Sequence, residues 1–275
     1  MAELVAAAGV PHNPFLPLIV ASGGDGAPEI ERLYGGAGRV LREARPDVLV
    51  VFTTDHYNAF FDVSVPIFSV GVAESAAGPV DYPQLPQSVV PVDAELGAEI
   101  QSGLVLAEFD AGRSREFPLD HTVTAPLGLL LGNLDVPLVP VFVSTSMRPI
   151  PSARRCLGLG LALGAVVRAS ALPRRVALVA SGAFSFEVGG PRISEESHVG
   201  VPAPEWVDRV VSLLGAARIE DLVRETTPER LVEAGNASGE ILNWIAMLGA
   251  FSPAPPAFLE AQRSEGHAFA AWRIG

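Results

Sequence analysis

Three short runs of β-branched and other apolar residues, Val48–Phe52, Val136–Val143 and Val176–Val179, show no alternation of polar and apolar positions. A continuous apolar run of this length fits a strand covered on both faces, as in a parallel sheet packed between helices. Leu4–Ala8, mostly alanine, and Val63–Val72 are two further strand candidates. Helical patterns lie between and after them, over Glu29–Ala44, Asp93–Leu106, Ser152–Arg168, Pro204–Leu214 and Ser238–Leu248. Ala125–Leu131 is helix-like, and Thr227-Pro228-Glu229 carries the signals that open a short helix through Val232. Strands alternating with helices predict an α/β fold with a central mixed, mostly parallel sheet and helices on both faces, using residues 1–275 as a single domain. The Pro- and Gly-rich stretches Gly78–Pro91 and Val188–Pro204 are expected to be long loops of the kind that bind ligands.

Composition narrows the chemistry. Of 275 residues, 49% are hydrophobic and 18% charged, which excludes disorder across the whole chain. Acidic residues outnumber basic ones 31 to 19, and every basic residue is arginine. The absence of lysine excludes a Schiff-base lysine and the lysine of a phosphate-binding P-loop. An acidic chain without a basic, aromatic-interleaved stripe is not expected to bind nucleic acid. Stretches as apolar as Leu157–Val167 fall short of the ~20 residues that span a bilayer, so no membrane helix is expected. Cys156 is the only cysteine and has no partner for an internal disulfide; with no signal-like N-terminal segment, the expected location is cytoplasmic.

The candidate chemistry lies in histidines next to the ends of elements. His12 follows the first strand in Gly9-Val10-Pro11-His12-Asn13-Pro14, and His56 follows the second in Thr53-Thr54-Asp55-His56-Tyr57-Asn58. Ligands of open α/β sheets bind outside the carboxyl ends of the strands, where two such imidazoles can meet; singly, each also reads as an ordinary loop histidine. Glu240 sits in the first turn of an apolar helix, where a carboxylate is favoured by the helix dipole whether or not it has a further task. Two histidines and a carboxylate are the facial triad of non-haem Fe(II) oxygenases, and the same set can hold a catalytic zinc. His198, in a polar loop, and His267, near the C-terminus, are expected at the surface.

The strings around His12, around Asp55 and His56, at Leu119-Asp120-His121, at Ser181-Gly182 and over Glu233–Trp244 together resemble the class III extradiol dioxygenase superfamily, the type that contains the catalytic subunit of protocatechuate 4,5-dioxygenase. The resemblance runs from about residue 4 to about residue 250 and is weaker over 78–118. It implies one Fe(2+) bound by His12, His56 and Glu240, a small aromatic substrate with adjacent oxygens, and O2 as co-substrate. Cleavage would fall on the carbon–carbon bond next to the diol. His121 aligns with a family histidine that contacts bound substrate; on a bland reading it is merely held by Asp120. Asn13, Asp55, Tyr57 and Asn58 are expected near the ligands, and Phe15, Phe60 and Phe61 among the apolar groups of the nearby loops. The departure is Phe186, which stands where family members carry an acid/base histidine. Two other readings stay open: a zinc-dependent hydrolase on the same scaffold, and a noncatalytic subunit that has kept the fold. A homo-oligomer is expected from base rates, and some relatives close the pocket with a small second subunit.

Overall fold

Each apolar run becomes a strand with few exposed positions, and the helices between them supply the cover. The computed structural model describes residues 1–61, 63–190, 192–193 and 197–275. In chain order the elements are β1 (Glu3–Val10), α1 (Phe15–Ser22), α2 (Ala27–Ala44), β2 (Val48–Thr53), β3 (Phe68–Gly71), β4 (Ser75–Gly78), β5 (Ser88–Pro91), α3 (Ala94–Leu106), β6 (Ala111–Ser114) and α4 (His121–Leu131). There follow β7 (Leu138–Val143), α5 (Ala153–Ala169), β8 (Arg175–Ser181), β9 (Glu187–Val188), β10 (Val199–Gly200), α6 (Pro204–Gly215), α7 (Ile219–Glu225), α8 (Pro228–Ala234), α9 (Ile241–Gly249), β11 (Phe258–Gln262) and β12 (His267–Arg273).

Eight strands form one sheet in the order β11-β12-β1-β8-β2-β7-β3-β6. The centre, β1, β8, β2 and β7, is parallel. The edges reverse direction, with β12 antiparallel to β1 and β3 antiparallel to β7. Alternate residues of one strand feed opposite cores: Val48, Val50 and Phe52 face α3, α5, α6 and α9, whereas Leu49 and Val51 face α2 and α4. That double burial explains the missing polar alternation. Asp93, Asp120, Ser152 and Thr227 cap α3, α4, α5 and α8 through their side chains.

The expected α/β architecture is the observed one. The candidate Val63–Val72 shortens to Phe68–Gly71, and the first expected loop is largely the β4–β5 hairpin and its tip. In the second, residues 191 and 194–196 lie outside the described residues. The C-terminal hairpin β11–β12 is an addition to the expected set: His-Ala-Phe-Ala-Ala-Trp-Arg has little strand preference of its own and takes that state by pairing with β1.

Helices α5 and α9 approach so closely that a Cβ on Gly160 would lie 1.9 Å from the Ala246 carbonyl oxygen, and one on Gly164 2.0 Å from that of Ala250. Gly128 in α4 has nothing within 4 Å of the corresponding point. The two sites therefore predict opposite signs for one substitution. Gly160→Ala is expected to destabilise the fold by about 1–3 kcal/mol or more through overpacking, and Gly128→Ala to stabilise it by about 0.5–1 kcal/mol through helix propensity. Urea unfolding of the two variants checks both, and equal midpoints would contradict the packing described.

Candidate metal centre

Because β1, β2, β7 and β8 run parallel, their carboxyl ends share one edge of the sheet, and the candidate residues gather there. His12 lies just beyond β1, His56 just beyond β2, and Ser181 closes β8. Glu240 comes from the opposite direction, on a single 3-10 turn (Ser238–Glu240) that leads into α9. One of its oxygens, Oε1, lies 3.2 Å from His12 Nε2 and 3.4 Å from His56 Nε2. The other, Oε2, accepts the Ala183 backbone N–H at 2.8 Å. Gly182 makes this approach possible: at φ +145° it has left-handed backbone, and a Cβ there would sit 2.4 Å from Glu240 Cβ.

The two histidines are held from behind. His12 Nδ1 is 3.1 Å from Ser181 Oγ, which buttresses the ring from behind while Nε2 faces Glu240. Ser181 Oγ is 3.4 Å from Thr53 Oγ1, which donates to Thr122 Oγ1 at 2.7 Å, and Thr122 in turn donates to Asp120 Oδ1. Asp120 Oδ2 accepts the His56 backbone N–H at 3.0 Å. One polar chain thus ties the His12 ring and the His56 backbone to the N-terminus of α4. Asp55 shapes the His56 loop by accepting the backbone N–H groups of Asn58, Ala59 and Phe60.

His121 is the first residue of α4, and one ring nitrogen from each of His12, His56 and His121 lies within 4.8 Å of the others. Its ring is held by Asp81, not by Asp120: Nδ1 is 2.5 Å from Asp81 Oδ2, and the His121 backbone N–H donates to Asp81 Oδ1 at 3.0 Å. Tyr82 meets the His121 ring edge to face at 4.9 Å, and Phe15 meets Tyr82 at 6.0 Å. The tip of the β4–β5 hairpin therefore forms one wall of the site.

Burial alone would raise the Glu240 carboxyl, but His12 and His56 outweigh it and hold the group well below the usual carboxylate range. Burial pulls His56 down, yet Glu240 raises it to about 9. His121 is lowered, first by burial and then by His12 and His56, against the hydrogen bond from Asp81. An anionic oxygen shared by two imidazole nitrogens, with a neutral third imidazole alongside, is a donor set that suits a divalent metal.

The chain matches the family described as "Catalytic LigB subunit of aromatic ring-opening dioxygenase" over residues 6–271. It belongs to that family. Relatives named 2,3-dihydroxyphenylpropionate/2,3-dihydroxicinnamic acid 1,2-dioxygenase are similar to it. The one from Klebsiella pneumoniae subsp. pneumoniae is 29% identical, with 82% of each chain covered. That from Paraburkholderia xenovorans is also 29% identical, with 83% of each covered. Among solved structures, an uncharacterized protein of Escherichia coli K12 shares the fold, with a TM-score of 0.60, 16% identity, and coverage of 98% of this chain and 100% of that one.

Within this family frame, Phe186 occupies the segment between β8 and β9, half-buried. Its carbonyl accepts the Ala237 N–H at 3.1 Å, against Gly235, and its ring pairs with none of the imidazoles among the described residues. Of the expected aromatic neighbours, Phe15 meets Tyr82 but is exposed, as are Tyr57 and Phe61, while Phe60 packs on Phe142. His198 is at the surface, as expected. His267 is not: it opens β12, which lies between β1 and β11, and is buried there, its Nδ1 without a hydrogen-bond partner among the described residues. Asp81 and Tyr82 escaped notice in the sequence, although both fall in the loop expected to bind ligand. No helix among the described residues is long and apolar enough to cross a membrane.

Burial, reinforced by His12, lowers His267 to about 3, whereas an unfolded histidine titrates near 6.5. Between those values the unfolded chain binds one more proton than the native one, so stability is complete above about pH 6.5 and declines on acidification by roughly 1 kcal/mol per pH unit. His267→Gln is expected to flatten that slope in the metal-free protein. Parallel curves for the two proteins from pH 6.5 to 4.5 would show that His267 is not buried in its neutral form.

Proposed function

We propose that the chain is a non-haem Fe(II)-dependent extradiol dioxygenase in which His12, His56 and Glu240 hold the iron. The supporting observation is the placement of Glu240 Oε1 within 3.4 Å of an Nε2 atom from both histidines, with its second oxygen fixed by Ala183. His121 is left out of the ligand set on this reading, since Glu240 makes no comparable contact with it and its other nitrogen is committed to Asp81. The substrate class is a dihydroxy-aromatic ring, and the relatives' names make 2,3-dihydroxyphenylpropionate the first compound to try. Family membership favours this reading over a zinc hydrolase or a noncatalytic subunit.

A bound ferrous ion would supply the open coordination positions and the electron transfer that bring an aromatic diol and O2 together. The chain's own residues do the rest. Ser181 and Ala183 fix two of the three donors, and Tyr82 packs against the His121 ring. His121, neutral near pH 7, can accept a hydroxyl proton from the diol at Nε2. Phe186 carries no exchangeable proton, so it provides an apolar position and leaves proton handling to His121.

His56→Ala is expected to lose the one ferrous ion per chain that the native protein retains after desalting, and retention at native stoichiometry would refute the ligand set. His121→Gln should keep its iron but slow O2 uptake by about 10²–10⁴-fold with 2,3-dihydroxyphenylpropionate or another catechol that proves active. Iron-loaded native protein that takes up no O2 with any catechol, gallate or hydroxypyridone would count against the proposed activity.

A further inference from the structure

His121 has two ring nitrogens and two different surroundings. Nδ1 faces Asp81 Oδ2 at 2.5 Å, and the neighbouring oxygen of the same carboxylate, Oδ1, accepts the His121 backbone N–H at 3.0 Å. Asp81 is thus a clamp on one residue through both backbone and ring. The ring is pressed further by Tyr82, whose aromatic face lies 4.9 Å away on the next residue of the same loop. His12 and His56 lie beside the same imidazole, with ring centroids at 5.4 and 5.1 Å and one ring nitrogen of each within 4.8 Å of the others.

We propose that Asp81 is a positioning residue that fixes His121 in its Nδ1–H tautomer, so that the Nε2 lone pair faces the metal centre. A carboxylate can only accept, so the Nδ1 position has to carry the proton, and a neutral imidazole then has no proton left for Nε2. The nitrogen turned toward the site is therefore an acceptor. It can take the proton of a ligand hydroxyl: the O–H bond breaks, an N–H bond forms, and the resulting imidazolium is paired with Asp81. The inference rests on the proposed reading of the site for its catalytic consequence, though not for the tautomer itself.

The carboxylate's double contact sharpens the test. In Asp81→Asn the amide oxygen is needed by the His121 backbone N–H, which turns the amide NH2 group toward Nδ1. That group can only donate, so the ring proton has to move to Nε2 and the acceptor facing the site disappears. The substitution is nearly isosteric, and its effect should be one of tautomer alone; the equivalent change in a Ser-His-Asp triad leaves geometry intact and costs about 10⁴-fold in kcat. In Asp81→Glu both acceptor oxygens remain, and the native tautomer is expected to return.

The measurement is a long-range proton–nitrogen correlation spectrum of histidine-labelled, metal-free protein, with the His121 signals assigned by their loss in His121→Gln. The native protein is expected to show His121 as Nδ1–H, Asp81→Asn as Nε2–H, and Asp81→Glu as Nδ1–H. An Nε2–H tautomer in the native protein overturns the inference outright, without any variant having to fold. So does an unchanged tautomer in folded Asp81→Asn. With iron loaded, Asp81→Asn should retain the native metal content and lose about 10²–10⁴-fold in kcat, with KM changed much less; native turnover would overturn the positioning role. Retention of iron by His56→Ala is a separate outcome. It would refute the ligand assignment while leaving the tautomer result standing.

Discussion

A carboxylate sealed from water needs donors or positive charge on every lone pair it exposes, and Glu240 meets that demand with two imidazoles and one backbone N–H. The surrounding structure follows from this requirement. His12 and His56 must lie beyond the carboxyl ends of the two strands that flank β8, which requires a parallel sheet, and Ala183 must offer its N–H from the turn after β8. Gly182 must lack a side chain, and α9 must sit deep enough against α5 to carry the 3-10 turn inward, which the glycines of α5 permit. If Glu240 were withdrawn, two neighbouring imidazoles would face each other without a counter-charge. If the imidazoles were withdrawn, a buried anion would be left with a single donor.

The proposed division of labour has the same electrostatic root. Glu240 and His56 are driven apart in proton affinity, the carboxyl down and the imidazole up. His121, five ångströms away, is driven the other way, because Asp81 offers less than burial and the neighbouring imidazoles take. Two imidazoles of one cluster thus shift in opposite directions: His56 faces the Glu240 carboxylate and is raised, whereas burial and the neighbouring imidazoles lower His121 despite Asp81.

His12 and His56 were legible in the sequence because strand ends can be read from apolar runs, and the ends of parallel strands share an edge. Glu240 was legible as a candidate beside the two histidines, but its context, an acid at the start of an apolar helix, has a commonplace explanation that only the family resemblance outweighed. Asp81 was not legible, since it lies 40 positions from His121 on a hairpin whose strands, Ser-Ala-Ala-Gly and Ser-Val-Val-Pro, carry little local signal. His267 was misplaced for a related reason: it opens β12, which lies beside β1, a strand from the other end of the chain. What the sequence withheld was long-range pairing, where a residue's surroundings owe little to its neighbours in order.

The site also imposes a timetable. His12 follows the first strand, whereas Glu240 lies on the turn before α9, and the hydroxyl behind His12 is supplied from 169 positions downstream. A chain emerging from the ribosome makes β1 and β2 early, yet β8, the strand that lies between them, comes only at Arg175–Ser181, and Glu240 later still. On the proposed ligand set, two histidines without the carboxylate would rank divalent ions by intrinsic affinity alone, and geometry would select among them only once α9 has docked.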